Sequence, residues 1–356
     1  MKKKLTAAAL LLTGVFAFAA CSSRVPVTLT RNWNVNTTAA YDNTFYERLV
    51  YDVRYTEPEA SLNGLHYENA EGSYTVTTEA DDYYRASDNL TVNQAYRMET
   101  VLTFSADIVN SDGETVYSFG GDSGVPADSV VTTVYFRDIG DEMRPLESRV
   151  ETYSHTPMQN GNIAVYKYTA TVEYSSNASS ADIETVDLSE EITEIAEDED
   201  RAYVGTFTDG AYSLSSLTED YSCFDNAQLL FTVRGLDFSE DDSHTVTAVS
   251  GSGGAMHLTL SCTETVSSNY SFTLDGAPIA EDEEGAPVST NVVTFSLRSG
   301  TQTLGVTHTV RYAAKSSTAS QNTYRNLPMR IETPMSYSMG TLLYVLQSAE
   351  HTAPAE

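Results

Sequence analysis

Apolar and polar residues alternate along most of this chain with a period of two, which is the pattern of β-strands that are buried on one face. In the segment from Met98, the apolar face carries Met98, Leu102, Phe104 and Ile108, and the polar face carries Glu99, Thr103, Ser105 and Asp107. In the segment from Val165, one face carries Tyr166, Tyr168, Ala170, Val172 and Tyr174, and the other carries Lys167, Thr169, Thr171 and Glu173. Both segments are predicted to be long strands with one dry face.

Further segments with this period are predicted to be strands as well: Leu49 to Tyr55, Val130 to Phe136, Leu229 to Leu236, Met256 to Cys262, Val292 to Leu297 and Val306 to Tyr312. Turn signals separate them at Asn110-Ser111-Asp112-Gly113, Gly251-Ser252-Gly253-Gly254, Asp275-Gly276 and Ser299-Gly300. No amphipathic helix of three turns is predicted after the N-terminal region. The acidic stretch Leu188 to Ile195 is predicted to be either a short helix or a loop.

These elements predict an all-β fold. Many consecutive antiparallel strands with one apolar face must curl or close to hide that face and their edges. We therefore expect a long antiparallel meander curled into an open or half barrel, with two packed sheets as the alternative. The acid-rich tract 182–200 is expected to be an insertion in this domain, as a boundary or a long crossover loop.

The N-terminus has the layout of an export signal. Lys2, Lys3 and Lys4 form a positive region, Leu5 to Phe18 is apolar or small, and Ala19-Ala20-Cys21-Ser22-Ser23 follows. The stretch Phe18-Ala19-Ala20-Cys21 resembles the lipobox of bacterial lipoproteins, and this resemblance implies that Cys21 becomes the lipidated first residue of the mature protein. A plain secretory signal that is cut nearby is the alternative. The expected organisation is a signal peptide at 1–20, the lipidated Cys21 with a tether to residue 40, the β domain at 41–350 and a tail at 351–356.

The net charge of the chain excludes some classes of binding partner. The chain has 20 Lys and Arg against 50 Asp and Glu, a formal net charge of −30, and loss of the signal would remove three of the lysines. Such a surface repels phosphates, so nucleic acid and anionic lipid headgroups are excluded as general partners. No later stretch is apolar for long enough to span a bilayer. The lipid on Cys21 is therefore the expected route to the membrane, which predicts a membrane-anchored lipoprotein of the extracytoplasmic cell envelope.

Three segments occur in an order that suggests a family: Phe45-Tyr46-Glu47-Arg48-Leu49-Val50-Tyr51-Asp52-Val53, Asn226-Ala227-Gln228-Leu229-Leu230-Phe231-Thr232-Val233-Arg234-Gly235-Leu236, and Asn326-Leu327-Pro328-Met329-Arg330-Ile331 followed by Met339-Gly340-Thr341-Leu342-Leu343. Together they resemble the bacterial envelope family called domain of unknown function 3108. The resemblance implies an antiparallel sheet wrapped into an open barrel. It implies no established activity and supplies no catalytic residues.

The candidate nucleophile is Ser123. Gly121-Asp122-Ser123-Gly124 is similar to the nucleophile turn of trypsin-like serine proteases, where a Gly-flanked turn presents the hydroxyl beside backbone donors. His66 is the only mature histidine that precedes it, and its surroundings are unlike those of a protease base. We therefore interpret this segment as a polar hairpin loop, and no catalytic residue is predicted.

Metal and cofactor sites are not predicted either. The six histidines, His66, His155, His244, His257, His308 and His351, lack the paired spacing of zinc ligands. His308 is expected to be a core imidazole on the apolar side of its strand. Calcium could bind the carboxylates of Glu281-Asp282-Glu283-Glu284 or Glu240-Asp241-Asp242, but no calcium-loop motif is present, and a solvated acidic turn is the preferred interpretation. Whether Cys223 and Cys262 form a disulfide stays open, with two separate sheltered thiols as the preferred interpretation.

Two function classes remain. The first is a non-enzymatic envelope lipoprotein whose curled sheet receives a lipid, another apolar ligand or an envelope protein partner. The second is a hydrolase whose site is assembled from distant residues and is not recognisable from sequence. A surface adhesion module without a cavity is a further alternative. The first class is expected, because the sequence offers a sheet and an anchor but no nucleophile paired with a base.

Overall fold

Strands make up most of the described chain, as the alternation predicts. The computed structural model describes residues 27, 29, 41–61, 64–139, 142–192, 201–236, 238–280, 284–300, 302–314 and 326–351. The first ten strands are β1 (Tyr46–Thr56), β2 (Leu65–Arg85), β3 (Leu90–Asn110), β4 (Thr115–Phe119), β5 (Asp128–Ile139), β6 (Glu142–Pro157), β7 (Ile163–Tyr174), β8 (Ala181–Asp187), β9 (Ala202–Val204) and β10 (Gly210–Leu214). The other nine are β11 (Cys223–Asp225), β12 (Ser243–Ser250), β13 (Gly254–Tyr270), β14 (Thr273–Leu274), β15 (Ala277–Pro278), β16 (Ala286–Ser299), β17 (Gln302–Ala313), β18 (Pro328–Pro334) and β19 (Thr341–Glu350).

Helical structure is sparse in the described residues. The helix α1 spans Asn226–Thr232 and continues directly into a 3-10 turn at Val233–Leu236. Two further 3-10 turns lie at Ser189–Glu191 and Ser336–Ser338.

All nineteen strands belong to one sheet. From β1 the sheet runs one way through β2, β3, β5, β6, β7 and β8 to β10, and the other way through β19, β18, β17, β16, β13 and β12 to β11. Most neighbours are antiparallel, and β7–β9, β11–β12 and β14–β19 are parallel. At the two ends β10 pairs with β8 and β11 pairs with β12, and within the described residues no pairing joins β10 to β11, so the sheet is open and not closed into a barrel. The predicted all-β class is confirmed, as one sheet and not two.

The alternation is confirmed on β3 and over residues 170–174 of β7, whereas Tyr166 and Tyr168, which were predicted on the dry face of β7, are only partly buried. Met98, Phe104 and Ile108 are buried on β3, and Val172 is fully buried on β7. Thr171, beside Val172, is partly exposed. A one-residue slip of either strand would move these apolar residues to the solvent face, so burial fixes the register.

Five of the six further predicted strands are observed, but the prediction for Leu229 to Leu236 is wrong, because this segment is helical. Asp225 provides the cap, since its Oδ1 accepts a hydrogen bond from the backbone N–H of Ala227 at 2.9 Å. The segment shows no clear apolar stripe, because α1 has only seven residues and its buried side includes the polar residues Gln228 and Thr232, so its helical period cannot be read from the sequence.

The acid-rich tract begins as part of the sheet. Its first residues belong to β8, and the stretch predicted as a short helix or loop contains the 3-10 turn at Ser189–Glu191. The remainder of the tract, 193–200, lies outside the described residues. The tract thus starts within a regular strand of the domain.

The two cysteines among the described residues are not bonded to each other. Cys223 and Cys262 are both free and buried, as preferred from the sequence. Burial raises the pKa of the Cys223 thiol well above its usual value, which keeps it in the unreactive thiol form.

Candidate ligand-binding site

The helix α1 lies inside the curl of the sheet. Leu230 O accepts a hydrogen bond of 2.7 Å from the hydroxyl of Tyr312 on β17. On another side, the amide Nε2 of Gln228 donates to Met143 O on β6 at 3.1 Å. The ring of Phe231 lies 6.2 Å from that of Tyr74 on β2. Because these contacts come from both wings of the sheet, the sheet wraps around the helix.

Polar anchors fix both ends of this internal segment. At its start, the carboxylate of Asp225 accepts hydrogen bonds from the hydroxyls of Ser148 and Tyr174. At its end, the guanidinium of Arg234 forms a bidentate ion pair with the carboxylate of Glu47 on β1, with N–O distances of 2.9 and 3.0 Å. Charge-assisted bidentate pairs hold geometry tightly, so the helix is fixed relative to the strands.

A cavity of about 450 Å³ lies between α1 and the inner face of the sheet. It is lined by eight Ser or Thr residues, three Tyr, seven aliphatic residues, Gly251, Asn226, Asp225 and His308. These come from β2, β3, β5, β6 and β7 on one wing, from β17, β18 and β19 on the other, and from the turn between β12 and β13. A volume of this size is typical of pockets that hold small molecules.

The helix separates this cavity from the packed core. Asn226, Ala227 and Leu230 line the cavity, whereas Leu229 and Phe231 are buried in the core cluster. The three cavity residues lie at helical spacing on one side of α1. The interior of the curled sheet is thus filled by its own side chains on one side of the helix and open on the other.

Besides three tyrosines, the cavity lining contains two ionisable side chains, His308 and Asp225, and neither provides a positive charge at neutral pH. Burial lowers the pKa of His308 to about 4, so this imidazole is neutral, and its Nδ1 lies 3.0 Å from the hydroxyl of Thr333. Burial raises the pKa of Asp225, and the hydrogen bonds donated to its carboxylate oppose this effect. None of the described lining residues is Lys or Arg, so the cavity has no group to neutralise an anion.

A second cavity of about 510 Å³ adjoins the first, beside β7, β8 and the segment between β9 and β10, and we call it the mouth groove. The two share Ser154, Tyr168, Gly251 and Ser252. At this junction the rings of Tyr168 and Phe207 stack with centroids 3.9 Å apart. The inner cavity and the mouth groove are therefore adjacent and share part of their walls.

Gly251 explains how closely the turn between β12 and β13 approaches β7. A Cβ atom on Gly251 would lie only 2.7 Å from the Cβ of Ala170, well inside van der Waals contact. The missing side chain lets the turn form one wall of both cavities.

The residues singled out from the sequence lie elsewhere, apart from His308. Cys21 lies outside the described residues. The hydroxyl of Ser123 donates to Gly120 O at 2.7 Å and accepts from the backbone N–H of Val125 at 3.1 Å, so it stabilises its own turn. His308 was expected to be a core imidazole, but it is only partly buried and lines the cavity instead.

The other histidines are dispersed. His155 is buried, and its Nδ1 lies 2.7 Å from Asp128 Oδ1, while its ring stacks on Phe119 at 4.6 Å. His351 lies beside Glu47 and Asp275, at 3.5 and 3.2 Å. Among the residues that the structure describes, no three His, Cys, Asp or Glu side chains group as metal ligands would. In the same residues no helix has the length and hydropathy of a membrane span.

Sequence reasoning missed the helix that forms one wall of the cavity, although a signal was present. Asp225 followed three residues later by Gln228 is a sequence signature of a helix start, and Asp225 is the observed cap. The remaining lining residues come from strands far apart in the chain and share no local motif.

Comparisons with known proteins leave the family open. No family model matches the chain, and no curated protein matches it. Among solved structures, a similar one is the crystal structure of a beta-barrel-like protein of domain of unknown function DUF1849 from Brucella abortus. The likeness has a TM-score of 0.44 and 8% sequence identity, and it covers 88% of this chain and 100% of that chain.

Proposed function

We propose that this chain is a lipid-anchored extracytoplasmic binding protein, without enzymatic activity, that holds an uncharged amphipathic small molecule inside its curled sheet. The single observation that carries the binding role is the cavity of about 450 Å³ beside α1. A surface adhesion module would fill this space with its own side chains. The cavity therefore favours a binding protein over that alternative.

The lining indicates the chemistry of the ligand. Aliphatic side chains such as Leu102, Val150 and Ile331 offer apolar contact, and the hydroxyls of Thr100 and Thr132 offer hydrogen bonds. A hydroxyl both donates and accepts, so it pairs with neutral polar groups. A carboxylate or phosphate would enter a cavity that contains Asp225 and no described cation, which is unfavourable.

The anchoring part of the proposal rests on the N-terminal sequence. A positive region, an apolar stretch and the Phe18-Ala19-Ala20-Cys21 segment together favour export and lipidation of Cys21. Such an anchor would hold the β domain at the membrane through a tether that begins at Cys21. The binding cavity would then face the extracytoplasmic side of the envelope.

Membership of the envelope family called domain of unknown function 3108 is part of the same proposal. It is supported by side-chain contacts among the three segments that resemble that family. Glu47 pairs with Arg234, the amide of Asn326 donates to Arg234 O at 2.8 Å, and the hydroxyl of Tyr51 donates to Pro328 O at 2.9 Å. Residues that would be distinctive of the family thus contact one another in the core.

Native mass spectrometry of the protein purified from expressing cells tests the binding role. We expect a co-purified mass on the wild type that is lost on denaturation. Ala227→Phe fills the cavity from the helix and should remove that mass, whereas Ala86→Phe, a matched change at an exposed turn, should retain it. Retention of the mass by folded Ala227→Phe, or its absence from the wild type, would contradict a ligand in this cavity. Circular dichroism verifies folding, and Ala227→Leu is the milder replacement if the Phe variant is unfolded.

A further inference from the structure

The mouth groove differs in composition from the cavity behind it. Its twelve lining residues are six Ser or Thr, three Tyr, two Gly and Phe207. None of these described residues is charged, and none is Leu, Ile, Val or Met. In a chain with 20% charged residues, a groove of this composition favours a ligand that is neither ionic nor purely aliphatic.

The groove is also built in advance of any ligand. Its outer wall is the segment between β9 and β10, where the hydroxyl of Thr185 donates to Thr208 O at 2.8 Å. Gly205 begins this segment, and its N–H donates to Val165 O at 2.8 Å. A Cβ on Gly205 would lie 2.5 Å from the ring of Tyr166, so glycine permits the close approach. Preorganised walls reduce the entropy cost of binding.

From these observations we propose that the mouth groove binds an uncharged saccharide. This inference rests on the proposed binding function and specifies the polar part of the ligand. Sugar rings present C–H groups on their faces, which pack against aromatic rings, and hydroxyls around their edges, which pair with Ser, Thr and Tyr hydroxyls. Tyr212 is 44% exposed and lines the groove, so its ring is available as such a platform.

Other ligand classes fit less well. An acyl chain would meet no aliphatic side chain larger than a methyl group in the groove lining, and an anion would meet no cation there. A quaternary ammonium group binds within a cage of ring faces, but Tyr168 and Phe207 stack against each other and use one face each. The saccharide could be a free oligosaccharide or the sugar headgroup of a lipid, because both present the same hydroxyls and ring faces to the groove.

Isothermal titration calorimetry on the full chain with Cys21→Ala, which removes the proposed lipid, tests this inference. The probes are maltohexaose, cellohexaose and N-acetylglucosamine hexamer, with choline as the cationic probe. We expect binding of at least one neutral hexasaccharide, weakened about tenfold by Tyr212→Ala and by Phe207→Ala. Tyr84→Ala, which removes a ring that is 61% exposed outside the groove lining, should change the affinity less than about twofold. Tyr212→Phe keeps the ring and should retain most of the binding.

Two detergents, used below their critical micelle concentrations, distinguish a free sugar from a lipid-borne sugar. They also distinguish binding in the mouth groove from binding in the inner cavity. Dodecyl maltoside carries a sugar on an acyl chain, and a dodecyl polyoxyethylene ether carries the same chain without sugar. Tighter binding of the maltoside than of maltohexaose, with sensitivity to Tyr212→Ala, would support a lipid-borne sugar. Equal binding of both detergents, unaffected by Tyr212→Ala and abolished by Ala227→Phe, would overturn the saccharide groove and leave the inner cavity as a binding site. Choline binding, or no saccharide binding up to about 10 mM, would also overturn it.

Discussion

Arg234 and Glu47 are 187 residues apart in the chain, yet they form a bidentate ion pair in the core, with N–O distances of 2.9 and 3.0 Å. The two side chains are 1% and 2% exposed. Arg234 and His351 hold the pKa of the Glu47 carboxyl below its usual value, against the effect of burial. The pair therefore stays ionised and ties the end of the internal helical segment to β1.

Removing one partner of this pair should be strongly destabilising. Glu47→Leu leaves a buried guanidinium without its counter-ion, and we expect it to lower the free energy of unfolding by about 3–5 kcal/mol. Arg234→Met should cost a similar amount. The double variant removes both charges and should cost less than the sum of the two, because no unpaired charge remains.

Urea unfolding followed by circular dichroism measures these three free energies. Arg149→Met provides the control, because the Arg149–Glu151 pair is 59% and 57% exposed and such pairs contribute about 0–1 kcal/mol. Additive costs in the double variant would mean that the two buried side chains act independently.

The strands of this fold could be predicted from the sequence, whereas the internal helix that carries Arg234 at its end could not. The strands β3 and β7 were predictable, because alternation is a local property and burial of one face enforces it. The helix at Asn226–Thr232 was not recognised as such, because it has only seven residues and its buried side includes the polar Gln228 and Thr232. Its signal was confined to Asp225 at the cap and Gln228 three residues later.

The cavity could not be predicted for a different reason. Thr100, Ser148 and His308 lie on three strands that are distant in sequence, and only the curl of the sheet brings them to one space. Alternation predicts which face each of them occupies. It does not predict which strands face one another across the interior, because that depends on how far the sheet curls.

The buried face of β7 can be tested by paired truncations. Val172 is fully buried and packs with Tyr174, Ile183 and Val249, so Val172→Ala should lower the free energy of unfolding by about 1–3 kcal/mol. Thr171→Ala, on the opposite face, should cost under about 0.5 kcal/mol. Denaturant titration of both variants measures the two costs. If they were equal, the strand would be dry on both faces or its register would be different.

The neutral imidazole of His308 gives the protein a pH-dependent term in its stability. The unfolded chain protonates this histidine near pH 6.5, whereas the folded protein resists protonation until the pH approaches its pKa of about 4. The neutral His308 therefore stabilises the folded protein fully above about pH 6.5. As the pH falls from about 6.5 towards 4, the free energy of unfolding decreases by about 1.4 kcal/mol for each pH unit.

Comparison of the wild type with His308→Gln isolates this term. We expect the free energy of unfolding of the wild type, relative to that of the variant, to fall by about 2 kcal/mol between pH 7 and pH 5. Asp128 and Asp225, whose pKa values are raised by burial, are present in both proteins and cancel in the difference. Parallel pH curves for the two proteins would show that His308 titrates normally in the folded state.

The turn around Ser123 should be chemically inert. Its hydroxyl donates to Gly120 O at 2.7 Å, and a nucleophilic serine needs instead a base that accepts its proton. Incubation with a fluorophosphonate probe, analysed by intact-protein mass spectrometry, should leave the chain unmodified, while a serine hydrolase in the same tube becomes labelled. Stoichiometric labelling that disappears in Ser123→Ala would instead favour a hydrolase.

Cys21 should decide whether the protein is held at the membrane. Lipidation of this residue would provide the anchor, because two acyl chains together give stable attachment where one is marginal. We therefore expect the wild type in the membrane fraction and Cys21→Ala in the soluble extracytoplasmic fraction. The variant should unfold at the same urea concentration as the wild type, since every strand from β1 onward begins after this residue. Ser22→Ala, a change beside the modified position that retains the thiol, should stay with the membrane. Fractionation with immunoblotting and mass spectrometry of the N-terminal peptide measure both properties, and a wild type that is wholly soluble with an unmodified N-terminus would exclude the lipid anchor.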